Sequence, residues 1–207
     1  MTDASTRDKL IEAAMRLFHE QGYAATGVAT ILRESGVNSG SMYHYFPTKE
    51  ALLHGVLDRY EELLWPVVLQ PAFDSTTDPV ERIFAVMAGY RHGLEMTSCG
   101  MGCPIGNLAL EMSDTYPDVR EHLAKLFGMW CDGIRRCLDD AATTLRPDVD
   151  RASLAEFVLS VMEGAMMLAR ARRELAAFDR SIAHLRAYFE GLRMGGGAES
   201  RKPKAEN

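Results

Sequence analysis

Residues 36–52 read GVNSGSMYHYFPTKEAL, a run in which glycines, short hydroxyls, rings and a lysine crowd together just before an ordinary amphipathic helix. Asn38 and Ser39 open a helix of barely two turns, and Pro47 stops it. Upstream, a second short helix is expected over about Gly27 to Ser35. It starts behind Thr26, turns Val28, Ile31 and Leu32 inward and is broken by ESGV at residues 34–37. A first helix, about Thr6 to Gln21, is capped by Ser5, carries Leu10, Ile11, Ala14, Leu17 and Phe18 on one stripe and stops at Gly22. Three short helices with a glycine-containing turn between the second and third form a helix-turn-helix, whose last helix enters the major groove of DNA. On this reading Gly40 allows close approach to the duplex, Ser39 and Ser41 face bases, and Tyr43, His44 and Lys49 have the size and polarity to clamp phosphates. Helix starts behind Thr26 and Thr48 add amide sites for phosphate. Tyr45 and Phe46 are read as core aromatics and Tyr43 as a surface residue.

Elsewhere apolar residues recur at helical spacing and no stretch alternates as a half-buried strand does, so the chain is read as all-α with about nine helices. After Thr48 a fourth helix runs through KEALLHGVLDRYEELLWPVV, where Pro66 is expected to kink or end it. Longer helices follow over about Asp78 to Met96, Pro117 to Thr144, Ser153 to Ala176 and Arg180 to Arg193, with a shorter stripe from Ile105 to Met112. The segment Ser153–Ala176 is apolar on nearly every side, which demands cover on two faces. The expected organisation is a DNA-binding domain over residues 1–54, a ligand-binding and dimerisation domain over 55–194, with the fourth helix alone joining the two parts, and a disordered tail over 195–207.

At 207 residues and 47% hydrophobic the chain has ample material for a core. Its formal net charge of −6 gives no bulk basic field, and residues 1–54 hold five Lys and Arg against six Asp and Glu, so DNA contact must use locally placed groups. The polar N-terminus MTDASTRDKL has no secretory apolar region, and no uninterrupted apolar run is long enough to cross a membrane, so a soluble cytoplasmic protein is expected.

The stretch AAMRLFHEQGYAATGVATILRESGVNSGSMYHYFPTKEALL resembles the DNA-binding domain of the TetR/AcrR family of transcriptional regulators, with the match covering about residues 7–54. The resemblance implies phosphate contacts from Thr26, Tyr43, His44 and Lys49, and base-edge positions for Ser39, Gly40, Ser41 and Met42. Asn38 and Ser39 stand where the family usually has a serine followed by lysine, so one common backbone cation is missing. GCPIGNLALEMSD, EGAMMLARARREL and FDRSIAHLRAYF are similar to the LmrA/YxaF-like branch, which has electrophile- and acrylate-responsive relatives. The resemblance implies a homodimer through the last two long helices, a double-stranded operator DNA partner and release by a small organic effector.

An effector pocket in the helical body would draw on Met87, Tyr90, Arg91, Met96, Met112, Phe127, Trp130, Met166 and Arg170, since flexible thioethers and rings suit ligands of varied shape. Those same residues at helical spacing equally serve as core. Glu163 is either an interface acid or a polar pocket group. Cys99 and Cys103 lie in the glycine-rich break TSCGMGCP, where an exposed thiol at a helix start would have a lowered pKa and sense electrophiles; Cys103 is the better placed. The alternative is that they are buried structural thiols. The cysteine spacing lacks the paired ligands of a zinc site, and no cofactor is implied. No phosphate loop, metal triad or nucleophile elbow appears, so an enzyme is disfavoured against a one-component repressor. A ligand-binding protein that has lost DNA recognition is the third class.

Overall fold

The structure, a computed structural model, describes residues 5–194; the expected tail at 195–207 lies outside the described residues. Ten α-helices are present among these residues, with no strand beyond an isolated bridge between Leu145 and Arg193. They are α1 (Thr6–Gln21), α2 (Val28–Ser35), α3 (Ser39–Tyr45), α4 (Lys49–Leu63), α5 (Gln70–Ser75), α6 (Pro79–Met96), α7 (Pro104–Met112), α8 (Pro117–Asp140), α9 (Arg151–Arg172) and α10 (Leu175–Leu192). Between α4 and α5 the chain widens into a π-helical stretch, Leu64–Leu69, around Pro66. A proline inside a helix lacks an N–H and clashes with the preceding turn, and widening that turn accommodates both faults without ending the rod.

Two compact units result. The first combines the described residues up to Val68 with Met101–Met129, and the second combines Leu69–Gly100 with the described residues from Trp130 onward. The chain crosses between them at three points, the last inside α8, so the boundary expected at residue 54 and the expectation that the fourth helix alone joins the parts are both corrected. The reason is burial. Three short helices of some fifty residues bury too small a share of their surface to be more than marginally stable alone. Here Leu10, Leu17, Ile31, Met42 and Leu53 share one core with Leu108 and Met112 of α7 and with Val119, Leu123 and Leu126 of α8.

Within this first unit α4 meets α8 through His54 and His122, whose rings stack at 5.7 Å. Asp58, Glu61 and Lys125 surround the pair, and burial outweighs the carboxylates to hold the His122 imidazolium below its ordinary pKa. Gly55, one residue on from His54, leaves no room for a Cβ beside the Phe46 ring.

In the second unit α10 packs along α9, and both contact α6. Phe84 meets Phe189 edge to face at 5.6 Å, with the Arg186 guanidinium over Phe84 and paired to Glu81. Helix α9 starts at Arg151 under an Asp150 cap and stops at Arg172, and α10 already begins at Leu175. Both start earlier than the sequence suggested. Their junction carries no glycine or proline to mark it, because Arg173 itself takes the left-handed conformation at φ 56. By length and composition α9 suffices to cross a membrane, with a mean hydropathy of 1.5 over its most apolar window. Leu154, Val158, Met162 and Met166 are instead buried in the subunit, while Phe157, Met167 and Leu168 stay open to solvent.

Two outcomes follow from the first unit. An added Cβ at Gly55 would lie 2.9 Å from Cε1 of Phe46, so Gly55→Ala overpacks the head core. It should cost about 1–3 kcal/mol in urea denaturation, despite alanine's better helix propensity. A lowered folded-state pKa at His122 contributes stability that is present above the unfolded value and lost as pH falls through the folded one. Between pH 7 and pH 5 the wild type should therefore lose more stability than His122→Gln; equal losses would exclude His122 as the group responsible.

Candidate DNA interface

Helix α1 ends on Gly22 at φ 87, and the turn that follows delivers the chain to α2. Gly36 then takes the left-handed conformation, φ 66, which lets α2 stop and α3 start within three residues. Asn38 caps α3, its Oδ1 accepting the Ser41 N–H at 2.8 Å. Thr48 caps α4 in the same way through the Ala51 N–H.

With α3 so fixed, its faces are decided by the i, i+4 pair Met42 and Phe46, both buried in the head core. Ser39, Gly40, Tyr43 and His44 consequently face outward, and Ser41 is half-buried at the margin. Asn38, Ser39, Gly40, Tyr43, His44 and Thr48 are thus exposed, with Ser41 half-buried, between the cap of α3 and the cap of α4. Met42 does not join them. It is 0% exposed, which corrects its expected place at a base edge. Tyr45, expected in the core, is instead 44% exposed and stands edge to face with His44 at 5.1 Å. Its spacing of three from Met42 would place it beside the inward stripe, so the sequence held no signal for its exposure.

Thr26 and Lys49 are also corrected. The Thr26 side chain is 1% exposed, and its hydroxyl donates to the carbonyls of Gly22 at 2.7 Å and Leu17 at 3.3 Å, tying the turn back onto α1. Gly27 takes the N-cap place of α2 and offers no side chain, so no side chain caps the first turn. Lys49 turns its ammonium inward, donating to the Tyr23 carbonyl and lying 4.0 Å over the Tyr23 ring. Burial lowers its pKa, and burial likewise pushes the Tyr23 phenol up to about 12. The other face of this turn is held by Glu111 of α7, a residue the sequence reading passed over because nothing local links α7 to residues eighty-odd positions upstream.

The nominated pocket residues scatter. Met87, Trp130 and Met166 are buried in the second unit, where the Trp130 indole N–H donates to the Tyr90 hydroxyl at 2.9 Å. Arg91 is locked in a two-point pair with Asp179 and Arg170 is half-buried. Met96 is 70% exposed and Met112 belongs to the core of the first unit, so these two are corrected, while Phe127 is half-buried in that unit. A cavity of about 390 Å³ lies elsewhere in the second unit, between Arg146, Asp148, Asp150, Leu154, Phe157 and Tyr188, and none of the nominated residues lines it. Its charged walls are already paired, Arg146 with Asp148 and Asp150 with the start of α9.

Cys103 caps α7 as the sequence suggested, its Sγ accepting the Gly106 N–H. Cys99 and Cys103 are both buried, however, at 2% and 7% exposure. A sensing thiol must meet its reagent, so the sensor reading is corrected. No group of three or more side chains suited to a metal ion occurs among the described residues.

Comparison with known proteins agrees with this geometry. Residues 10–56 match the family model for bacterial regulatory proteins of the tetR family, and residues 79–185 match the tetracyclin repressor-like C-terminal domain. The chain is 28% identical to the HTH-type transcriptional repressor DhaR of Mycobacterium sp. (strain GP1), over 93% of this chain and 94% of that protein. It is 30% identical to the HTH-type transcriptional regulator YxaF of Bacillus subtilis, over 82% and 87%. A crystal structure of a regulatory protein TetR from Rhodobacter sphaeroides superimposes with a TM-score of 0.80 at 25% identity, covering 87% of this chain and 97% of that one. Both the reading head and the helical body are accounted for: the chain belongs to the TetR family of DNA-binding transcriptional regulators and is not an enzyme.

Proposed function

We propose that the protein is a cytoplasmic, homodimeric repressor that binds a palindromic operator through α3 and is released by a small organic effector bound in its helical body. The observation that carries the DNA part is the outward row Ser39, Gly40, Tyr43 and His44 on a helix anchored by Met42 and Phe46. Short hydroxyls and a bare glycine backbone suit base edges, and Tyr43, His44 and the amides behind Gly27 and Thr48 suit phosphates. Tyr45 joins them at the edge of that surface.

The dimer rests on α9 and α10. Phe157, Met167 and Leu168 are exposed along α9, Tyr188 along α10, and the small residues Ala183 and Ala187 leave α10 open to close approach by another helix. An apolar stripe this long on a regulator is covered by a second copy, which pairs two helices from each subunit and gives the operator its two-fold symmetry. For the effector, the Tyr90–Trp130 pair beside Met87 and Met166 offers one polar point among soft apolar side chains.

Selecting duplexes from random-sequence DNA with the purified protein tests the central claim, and a palindrome with half-sites about one helical turn apart is the expected yield. Within that complex, Ser39→Ala should change base preference, whereas Tyr43→Phe and His44→Ala should weaken all sequences alike. Lys49→Ala should destabilise the head by about 1.5–3 kcal/mol, as loss of a hydrogen bond from a charged donor does, and leave the salt slope unchanged. A slope shallower by about one unit would return Lys49 to the phosphates.

Sedimentation at micromolar concentration should find a dimer. Met167→Glu should give a folded monomer with impaired operator binding, because the residue is 58% exposed in the single subunit. Met166→Glu and Phe189→Glu, at 5% and 0% exposure, should unfold the subunit instead. A Met167→Glu protein that remains a dimer would exclude the α9 face as its interface.

A further inference from the structure

Glu111, in the last turn of α7, accepts the backbone N–H groups of Tyr23 at 2.9 Å and Ala24 at 2.6 Å, one on each carboxylate oxygen. Two successive amides on one carboxylate make a charge-assisted, two-point bond. Its seat is shaped to receive it. Gly22, immediately before, has φ 87, and a Cβ there would come within 3.2 Å of Glu111 Oε2. Only glycine suits both the backbone and the approach of the acid.

The electrostatics make this contact conditional. Glu111 lies at the C-terminal end of α1, where the helix dipole disfavours negative charge. The two amides and the charge of nearby Lys49 offset that penalty, and the amide part is lost as α7 moves the carboxylate out of hydrogen-bond reach. What it holds is the turn that aims α2. Tyr23 is gripped at its N–H by Glu111 and at its carbonyl by Lys49, Thr26 ties the far end back to Gly22, and α2 starts at Val28.

We propose that Glu111 is a positioning residue for DNA reading, which sets the entry of α2, and through it the presentation of α3, according to where α7 sits. The proposal rests on α3 being the DNA-reading helix.

Its test compares wild type, Glu111→Gln and Glu111→Ala, as full chains, on the duplex that the wild type selects from random-sequence DNA. Affinity is measured across salt concentrations, and amide hydrogen exchange is followed in the free proteins. Glu111→Ala should bind about tenfold more weakly, about 1.4 kcal/mol, with an unchanged salt slope. Tyr23 and Ala24 should exchange faster while α3 and α7 keep their protection, and Glu111→Gln, which retains one acceptor, should fall between. Faster exchange at those two amides with operator affinity within twofold of wild type would overturn the proposal, since the contact would then be structural only. Lost protection throughout the head would overturn it as well, because Glu111 would be holding the fold and not an angle. A wild type that enriches no duplex removes the DNA-reading premise itself, and that failure is recognised by the absence of binding before any substitution is made.

Discussion

The three short helices of this helix-turn-helix do not close a core of their own, and this constraint organises the first unit of the protein. Met42 reaches inward from the reading helix into a core that also holds Leu108 and Met112 of α7 and Leu123 of α8. Those later segments supply apolar area that α1 to α3 lack. The order of the chain is therefore a poor guide to its physical division. Residues that lie a hundred positions downstream in sequence are structural parts of the reading head, and any disturbance of α7 or of the first half of α8 is felt by the core on which α3 sits.

The polar contacts of the head obey the same logic. Several groups that a motif-based reading sends outward to DNA are engaged internally. The Thr26 hydroxyl closes α1, the Lys49 ammonium holds the Tyr23 carbonyl, and Asn38 and Thr48 serve as helix caps. The two caps satisfy N–H groups at the starts of α3 and α4, and the Thr26 and Lys49 contacts fasten the turn between α1 and α2. The surface that remains for DNA is smaller than the motif suggests and is defined by what the core does not use.

Helix existence, helix phase and the DNA-reading class were legible in the sequence because they follow from local spacing. Ser5, Asn38 and Thr48 announced their helices, and Pro66 announced a local disturbance that was accommodated by a π-helical stretch. What was not legible was long-range. Nothing near Met112 indicates that it packs with Leu10, and nothing near Glu111 points to Tyr23. The α9–α10 junction was misplaced because Arg173 adopts a conformation that sequence usually marks with glycine. Exposure of Cys99 and Cys103 was inferred from glycine-rich surroundings, yet small residues permit close packing as readily as they permit access.

A surface of serines, glycine, tyrosines and a histidine, with Lys49 turned inward, bears on how a regulator reading DNA through it would find its site. Binding to arbitrary duplex is driven almost wholly by release of counterions from phosphates, and few outward cations release few counterions. For a protein that met DNA through this surface alone, chromosomal DNA with its vast excess of irrelevant sites would sequester only a small share of the molecules. Such a regulator would reach its target mainly by three-dimensional encounter, with little sliding along the duplex. The copy number needed to keep one promoter occupied would then be set by the affinity for that promoter, and scarcely by the size of the genome around it.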